Sequence, residues 1–230
     1  MAGRVAVKIC GVAEPADAVL GAELGAAYLG LNFWPGSPRY LELGRAREIA
    51  AAVRRCRTAA PGVQLVGVFV NPTAAAVEET AAAVGLDLLQ FSGDEPAAAL
   101  RPFAARAIKA LRSHDPAAAA AYADCWGVLF DAPAAGDTPG RPAGSAAEYG
   151  GTGRRWDYAA VAGAIAGASL ARVFLAGGIG PGNVRQVVAT LRPFAVDVCS
   201  GVESAPGRKD PQLLRQLFEE VSNGQVRSPA

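Results

Sequence analysis

The stretch RVFLAGGIGPGNVRQVVATL, Arg172–Leu191, contains one complete structural unit. Arg172–Ala176 is a short apolar run that reads as a buried strand, Gly177 and Gly178 turn the chain, and Gly182–Leu191 reads as a helix. The same order recurs along the whole sequence. Strand-like runs stand near Val5–Cys10, Tyr28–Phe33, Gln64–Val70, Leu86–Phe91, Arg106–Leu111, Trp126–Asp131 and Ala195–Cys199. Helical stretches alternate with them, at about Pro15–Leu24, Leu43–Cys56, Thr73–Val84, Pro96–Ala104, Pro116–Ala123, Tyr158–Ala166 and Pro211–Val221. In EPAD, DEPA, HDPA and KDPQ a proline lies in or next to a first helical turn beside a carboxylate, a helix-start signal.

Strands that alternate with helices form a parallel sheet, because each crossover returns the chain to the same end. Eight such units predict an α/β protein with a closed (β/α)8 TIM barrel, residues 1–230 forming a single domain. An open dinucleotide-binding sheet is the main rival, and no GxGxxG follows the first strand.

Hydrophobic residues make up 51% of the chain, a figure inflated by alanine-rich stretches such as Ala117–Ala121. The 22 basic and 21 acidic residues leave a net charge of +1, with no long block of one sign. That argues against nucleic acid or an anionic membrane as a partner and leaves room for a local anion site. Cys10, Cys56, Cys125 and Cys199 are widely spaced without a CxxC, so neither a zinc site nor a disulfide framework follows. Neither a signal-peptide core nor an apolar run of about 18 residues is present. The expectation is a cytoplasmic protein with reduced thiols, a monomer or a homodimer.

One segment breaks the rhythm. Ala132–Trp156, between the sixth strand and its helix, is rich in Pro, Gly and Ala. A loop of that length at the catalytic face of a barrel suggests a lid or a binding loop.

In a barrel, chemistry gathers at the C-terminal strand ends. Those ends carry Lys8–Cys10, Asn32–Phe33 with the loop WPGSPRYL, Asn71, Gln90–Ser92, Asp131, AGGIG at Ala176–Gly180 and CSGVES at Cys199–Ser204. Gly177, Gly178 and Gly201 suit backbone N–H groups that close on a phosphate, although one glycine loop alone needs no more than a tight turn. Asp131 ends the apolar run WGVLFD; partial desolvation there would make it a usable general acid, while a cap or a solvated loop site is the plainer alternative. Arg39 follows the stiff Pro38, and its fork suits a planar carboxylate. Cys10 reads either as a strand-end filler or as a reactive thiol. Lys8, two residues earlier on the same pleat face, would favour its thiolate. Cys56 and Cys125 read as structural, Cys199 as ambiguous, and the single histidine, His114, as a cap.

With these motifs assembled, the chain resembles the phosphoribosylanthranilate isomerases, (β/α)8 enzymes of tryptophan biosynthesis. The resemblance rests on KICG (Lys8–Gly11), GLNFWPGSPRYL (Gly30–Leu41), VGVFVN (Val66–Asn71) and LLQFSGDE (Leu88–Glu95). It continues through GGTGRRWDY (Gly150–Tyr158), LAGGIGPGNV (Leu175–Val184) and VDVCSGVESAPGRKD (Val196–Asp210), all in the family's order. It implies that Cys10 is the general base and Asp131 the general acid, that Arg39 meets the anthranilate carboxylate, and that Gly177–Gly178 and Ser200–Gly201 hold the phosphate. Lys8, Gln90, Ser92, Gly151 and Gly153 complete the implied substrate contacts.

The implied reaction is an Amadori rearrangement of N-(5′-phosphoribosyl)anthranilate to 1-(2-carboxyphenylamino)-1-deoxyribulose 5-phosphate. It needs a small-molecule phosphosugar substrate and no cofactor or metal. The family usually reads Q-L-H-G after its fourth strand, whereas this chain has QFSG, so Ser92 replaces a histidine. Two alternatives stay open: an isomerase of another amino-sugar phosphate, for which Arg39 would be dispensable, and a non-catalytic phosphosugar-binding barrel, for which Cys10 would be.

Overall fold

The structure, a computed structural model, describes residues 4–56, 62–112, 116–131, 161–163 and 172–225. The expected loop 132–156, most of the helix read at Tyr158–Ala166, and His114, Gly151 and Gly153 lie outside these residues.

Eight parallel strands close into a barrel in sequence order. They are β1 (Ala6–Ile9), β2 (Tyr28–Asn32), β3 (Gln64–Phe69), β4 (Leu88–Phe91), β5 (Ala107–Leu111), β6 (Gly127–Asp131), β7 (Val173–Ala176) and β8 (Ala195–Val198). Closure is made by β1 against β8, with Ala6 opposite Ala195 and Ile9 opposite Val198. None of these eight strands is left with an open edge. The chain therefore forms the TIM barrel that its alternating pattern implies.

Helices start where proline and carboxylate signals stand. Asp210 accepts from the N–H groups of Gln212 at 2.7 Å and Leu213 at 3.1 Å, opening the helix Pro211–Gln225. Thr73 caps the helix Ala74–Val84 by accepting from Ala76 N–H at 3.2 Å, and Gly85, at φ +73°, ends it. The segment Pro96–Ala104 departs from expectation. Only Ala97–Leu100 is α-helical, and Arg101–Arg106 winds as a 3-10 helix. Pro102 removes an N–H, and its ring crowds the preceding turn, so a regular α-helix does not continue through it.

Two apolar layers result. One fills the space between strands and helices, with Ile9, Leu31, Ile49, Phe91, Phe130 and Leu217 fully or almost fully buried. The other lies inside the barrel and includes Tyr28, Val66, Leu88, Ile108, Leu129 and Phe174. Trp126, Tyr28, Phe174 and Phe194 pack together in edge-to-face and tilted pairs near the N-terminal strand ends, with centroids 5.4–6.4 Å apart. That aromatic cluster packs across the N-terminal end of the barrel. No helix among the described residues is long and apolar enough to cross a membrane.

After β8 comes a feature absent from the sequence reading. The chain makes a 3-10 turn at Ser200–Val202 and then a small hairpin, β9 (Glu203–Ala205) and β10 (Arg208–Lys209), turning at Gly207 with φ +80°.

Candidate active site

Period two along a strand decides which side chains face the barrel axis. Counting upward from the apolar floor, the last inward residues reach the mouth. They line a cavity with Asn32 from β2, Gln90 from β4, Asp131 from β6 and Asp197 from β8, joined by Cys10, Ser92 and Cys199, each one residue past the end of β1, β4 and β8. Loops add Gly11, Arg39, Gly177, Gly178 and Ser200. The structure thus brings Cys10 and Asp131 to one cavity, together with most of the residues expected to hold substrate.

The Cys10 thiol sits in a close-fitted niche. A Cβ placed on Gly30, the residue of β2 beside it, would stand 2.8 Å from Cys10 Sγ and 3.1 Å from its Cα. A side chain at position 30 would therefore force the thiol to shift. Hydrogen bonding from the Cys199 thiol, together with the ammonium groups of Lys8 and Lys209, holds Cys10 well below the usual thiol range, against the opposing effect of burial. Cys199 is pushed the other way by its bond to Cys10 and by burial. Cys10 is accordingly the thiolate of the pair and Cys199 the donor.

Lys8 lies one layer below. Its side chain is fully buried, does not line the cavity, and donates to Asp197 Oδ2 at 2.8 Å. Burial alone would lower its pKa, but Asp197 and Cys10 outweigh it and keep the ammonium charged. Lys8 was expected to touch substrate, yet its geometry serves the thiol above it. Burial pushes Asp197 up to about 7 against the pull of Lys8, with the charges of Cys10 and Asp131 adding to the rise. Its Oδ1 has no hydrogen-bond partner among the described residues, although Asp197 lines the cavity.

A second ionic cluster comes from the hairpin. Glu203 accepts from Arg39 Nε at 2.9 Å and from Arg39 Nη2 at 2.6 Å. Lys209 Nζ donates to the same carboxylate at 2.9 Å, to the Cys10 carbonyl at 2.5 Å and to the Cys199 carbonyl at 3.2 Å. Burial works to raise the Glu203 pKa, but the Arg39 and Lys209 cations hold it below the usual carboxylate range. Arg39 is thereby locked in place, two of its five N–H donors engaged by Glu203 among the described residues. Gly11 completes the fit: it adopts φ +65°, and a Cβ there would strike Arg39 Cδ at 2.4 Å.

The loops after β7 and β8 touch through their backbones. A Cβ on Gly201 would lie 2.1 Å from the Ile179 carbonyl oxygen, so position 201 admits only glycine. Gly201 itself packs behind the cavity wall, whereas Gly177, Gly178 and Ser200 face the opening. Gly177 and Gly178 have φ of +93° and +61°, where other residues are strained. Asn183 clamps this turn, accepting from Gly180 N–H at 2.9 Å and donating to the Gly178 carbonyl at 2.8 Å. Across the mouth, Gln90 Nε2 donates to Ser92 Oγ at 3.0 Å, and Gln90 Oε1 is buried without a partner among the described residues.

A family model described as N-(5′-phosphoribosyl)anthranilate (PRA) isomerase matches residues 7–220. The chain belongs to the N-(5′-phosphoribosyl)anthranilate isomerase family. It is 42% identical over 217 residues to the N-(5′-phosphoribosyl)anthranilate isomerase of Myxococcus xanthus, covering 92% of this chain and 93% of that one. With that of Bordetella petrii it shares 39% over 227 residues, 95% of each. The crystal structure of phosphoribosyl anthranilate isomerase from Thermotoga maritima superposes with a TM-score of 0.79 at 34% identity, covering 95% of this chain and 98% of that one. A complex of such an isomerase with reduced 1-(o-carboxyphenylamino)-1-deoxyribulose 5-phosphate gives 0.76 at 31%, with the same coverage.

Within this isomerase fold, four residues that sequence reasoning passed over help to build the site. Asp197 carried a signal, a carboxylate inside the apolar run AVDV. Asn183 was quoted in a motif but not singled out. The Glu203–Lys209 pair had no separate signal, because its meaning depends on a hairpin that folds back beneath Arg39.

Proposed function

We infer that this chain catalyses the Amadori rearrangement of N-(5′-phosphoribosyl)anthranilate, with Asp131 as general acid and Cys10 as general base. One observation carries the assignment of roles: a thiolate stabilised by Cys199, Lys8 and Lys209 faces the same cavity as a strand-end carboxylate. Asp131 gives a proton to the ribose ring oxygen, the C1′–O bond breaks, and the anthranilate nitrogen becomes an imine. Cys10 then takes the C2′ proton, and the electron pair moves toward the imine to leave an enolamine. Its tautomerisation gives the C2′ ketone.

The charge layout supports this division of labour. The buried Lys8 keeps a cation under the thiolate, which promotes proton abstraction at neutral pH. Arg39, held by Glu203, offers its remaining donors to the anthranilate carboxylate. The turns at Gly177–Gly178 and Ser200 offer backbone N–H groups to the 5′-phosphate, next to the start of the helix Val184–Leu191. The similar isomerase complexed with a reduced ribulose phosphate supports a ligand of this shape. Free thiols at all four cysteines suit the reducing cytoplasm.

The test is turnover of freshly generated phosphoribosylanthranilate, followed by the loss of its fluorescence, for wild type, Cys10→Ala and Asp131→Asn. Each variant should lose at least about 10²–10⁴-fold in kcat, the usual contribution of one acid or base. A wild type that binds the product without turning over substrate would overturn the reading.

A further inference from the structure

The base is not the only thiol at the mouth. β1 and β8 run in register up to Ile9 opposite Val198, and Cys10 N–H extends the ladder one step by donating to the Val198 carbonyl at 2.8 Å. That step puts Cys10 beside Cys199. Neighbouring strands lie about 4.8 Å apart, within the Cα separation of about 4.4–6.8 Å that a disulfide spans. Both side chains line the same cavity. Two glycines make the room. A Cβ on Gly30 would stand 2.8 Å from Cys10 Sγ, and one on Gly11 would stand 3.0 Å from Cys199 Sγ.

A serine at position 199 would supply the same hydrogen bond to the base. A thiol there adds a reaction. We propose that Cys10 and Cys199 are a reversible oxidation site, at which a hydroperoxide reaching the cavity drives the pair to a disulfide and switches the enzyme off. The Cys10 thiolate attacks the peroxide oxygen, the O–O bond breaks, and the departing hydroxide or alkoxide takes up a proton. Cys10 is then a sulfenic acid. The Cys199 sulfur attacks it, the S–S bond forms, and the S–O bond breaks, releasing water with the Cys199 proton. Two thiols are oxidised by two electrons, and one peroxide is reduced. The ammonium of Lys209, 3.9 Å from Cys199 Sγ, favours loss of that proton.

The disulfide does not depend on the reaction assigned above; the loss of activity does, because it rests on Cys10 as the base. Wild-type enzyme is treated with hydrogen peroxide in excess over the enzyme, then assayed and digested without reduction for mass spectrometry. The expected result is a peptide pair joined through Cys10 and Cys199, two hydrogens lighter than the sum. It should accompany an activity loss of tenfold or more that dithiothreitol reverses. In Cys199→Ser, referred to its own untreated rate, the same treatment should carry Cys10 to sulfinic acid, with a loss that dithiothreitol does not reverse. Wild type that gathers sulfinic acid at Cys10 without a cross-linked peptide would overturn the proposal, as would two thiols that stay reduced while peroxide is in excess. Inactivity before any treatment would count against the isomerase reading alone, since the cross-link is scored separately.

Discussion

Glu203→Gln tests whether the hairpin cluster holds the site together. The Glu203 side chain is 4% exposed and accepts from Arg39 at 2.9 and 2.6 Å, from Lys209 at 2.9 Å and from the Gly207 N–H at 3.2 Å. Glutamine keeps the volume but removes the charge and turns one acceptor oxygen into a donor that faces other donors. Lys209, fully buried at its side chain, then loses its carboxylate. Breaking a buried pair from one side costs about 3–5 kcal/mol, because the remaining charge stays unpaired. In a domain of this size that corresponds to a fall of roughly 6–20 °C in Tm. Calorimetry at neutral pH measures it directly, and released Arg39 should raise KM for the carboxylated substrate.

Acidification gives the sign. Glu203 is held below its ordinary pKa, so its stabilisation is present at neutral pH and is lost as pH falls through its native value. The gap between wild type and variant should narrow below about pH 4. Adding Lys209→Met to Glu203→Gln removes the stranded charge and should recover part of the loss. A single variant that melts within about 2 °C of wild type, below the shift of even one kcal/mol, would refute the reasoning.

Gly30→Ala should spare most of the stability and cut kcat by tenfold or more, since its new methyl would occupy space 2.8 Å from the thiol; stopped-flow turnover and a melting curve together check this. Lys8→Met removes one of the groups that, after the Cys199 hydrogen bond, keep Cys10 a thiolate. The acidic limb of kcat/KM against pH should therefore move to higher pH, with a larger rate loss at pH 6 than at pH 9, and an unmoved limb would contradict the assignment of Lys8.

The barrel was legible because each strand is a short apolar run closed by a turn and several helix starts carry a proline or a polar cap. Cys10, Asp131, Arg39 and Ser200 were legible because fold class alone assigns strand ends to the mouth. What sequence could not carry was pairing. Lys8 looks like a neighbour of Cys10 that could reach substrate, yet its carboxylate partner lies 189 residues away and takes it out of reach. Arg39 and Glu203 are separated by 164 residues. Pro102 was visible in the sequence, but its effect on a helix otherwise rich in alanine was underweighted there. Ser92, which breaks the family pattern, proves to be the acceptor for Gln90 across two residues of one strand, a contact that period two allows and the motif alone does not suggest.

The joining of β1 to β8 also has a consequence for how the enzyme is born. Cys10 leaves the ribosome well before Asp197, Cys199, Glu203 and Lys209, which lie far downstream in the chain. Until they arrive, the early thiol lacks the hydrogen bond from Cys199 and the ammonium of Lys209 that sharpen its reactivity, and Lys8 lacks its counter-ion. The nascent chain thus carries an ordinary cysteine through translation, and a reactive one exists only in the finished, closed molecule.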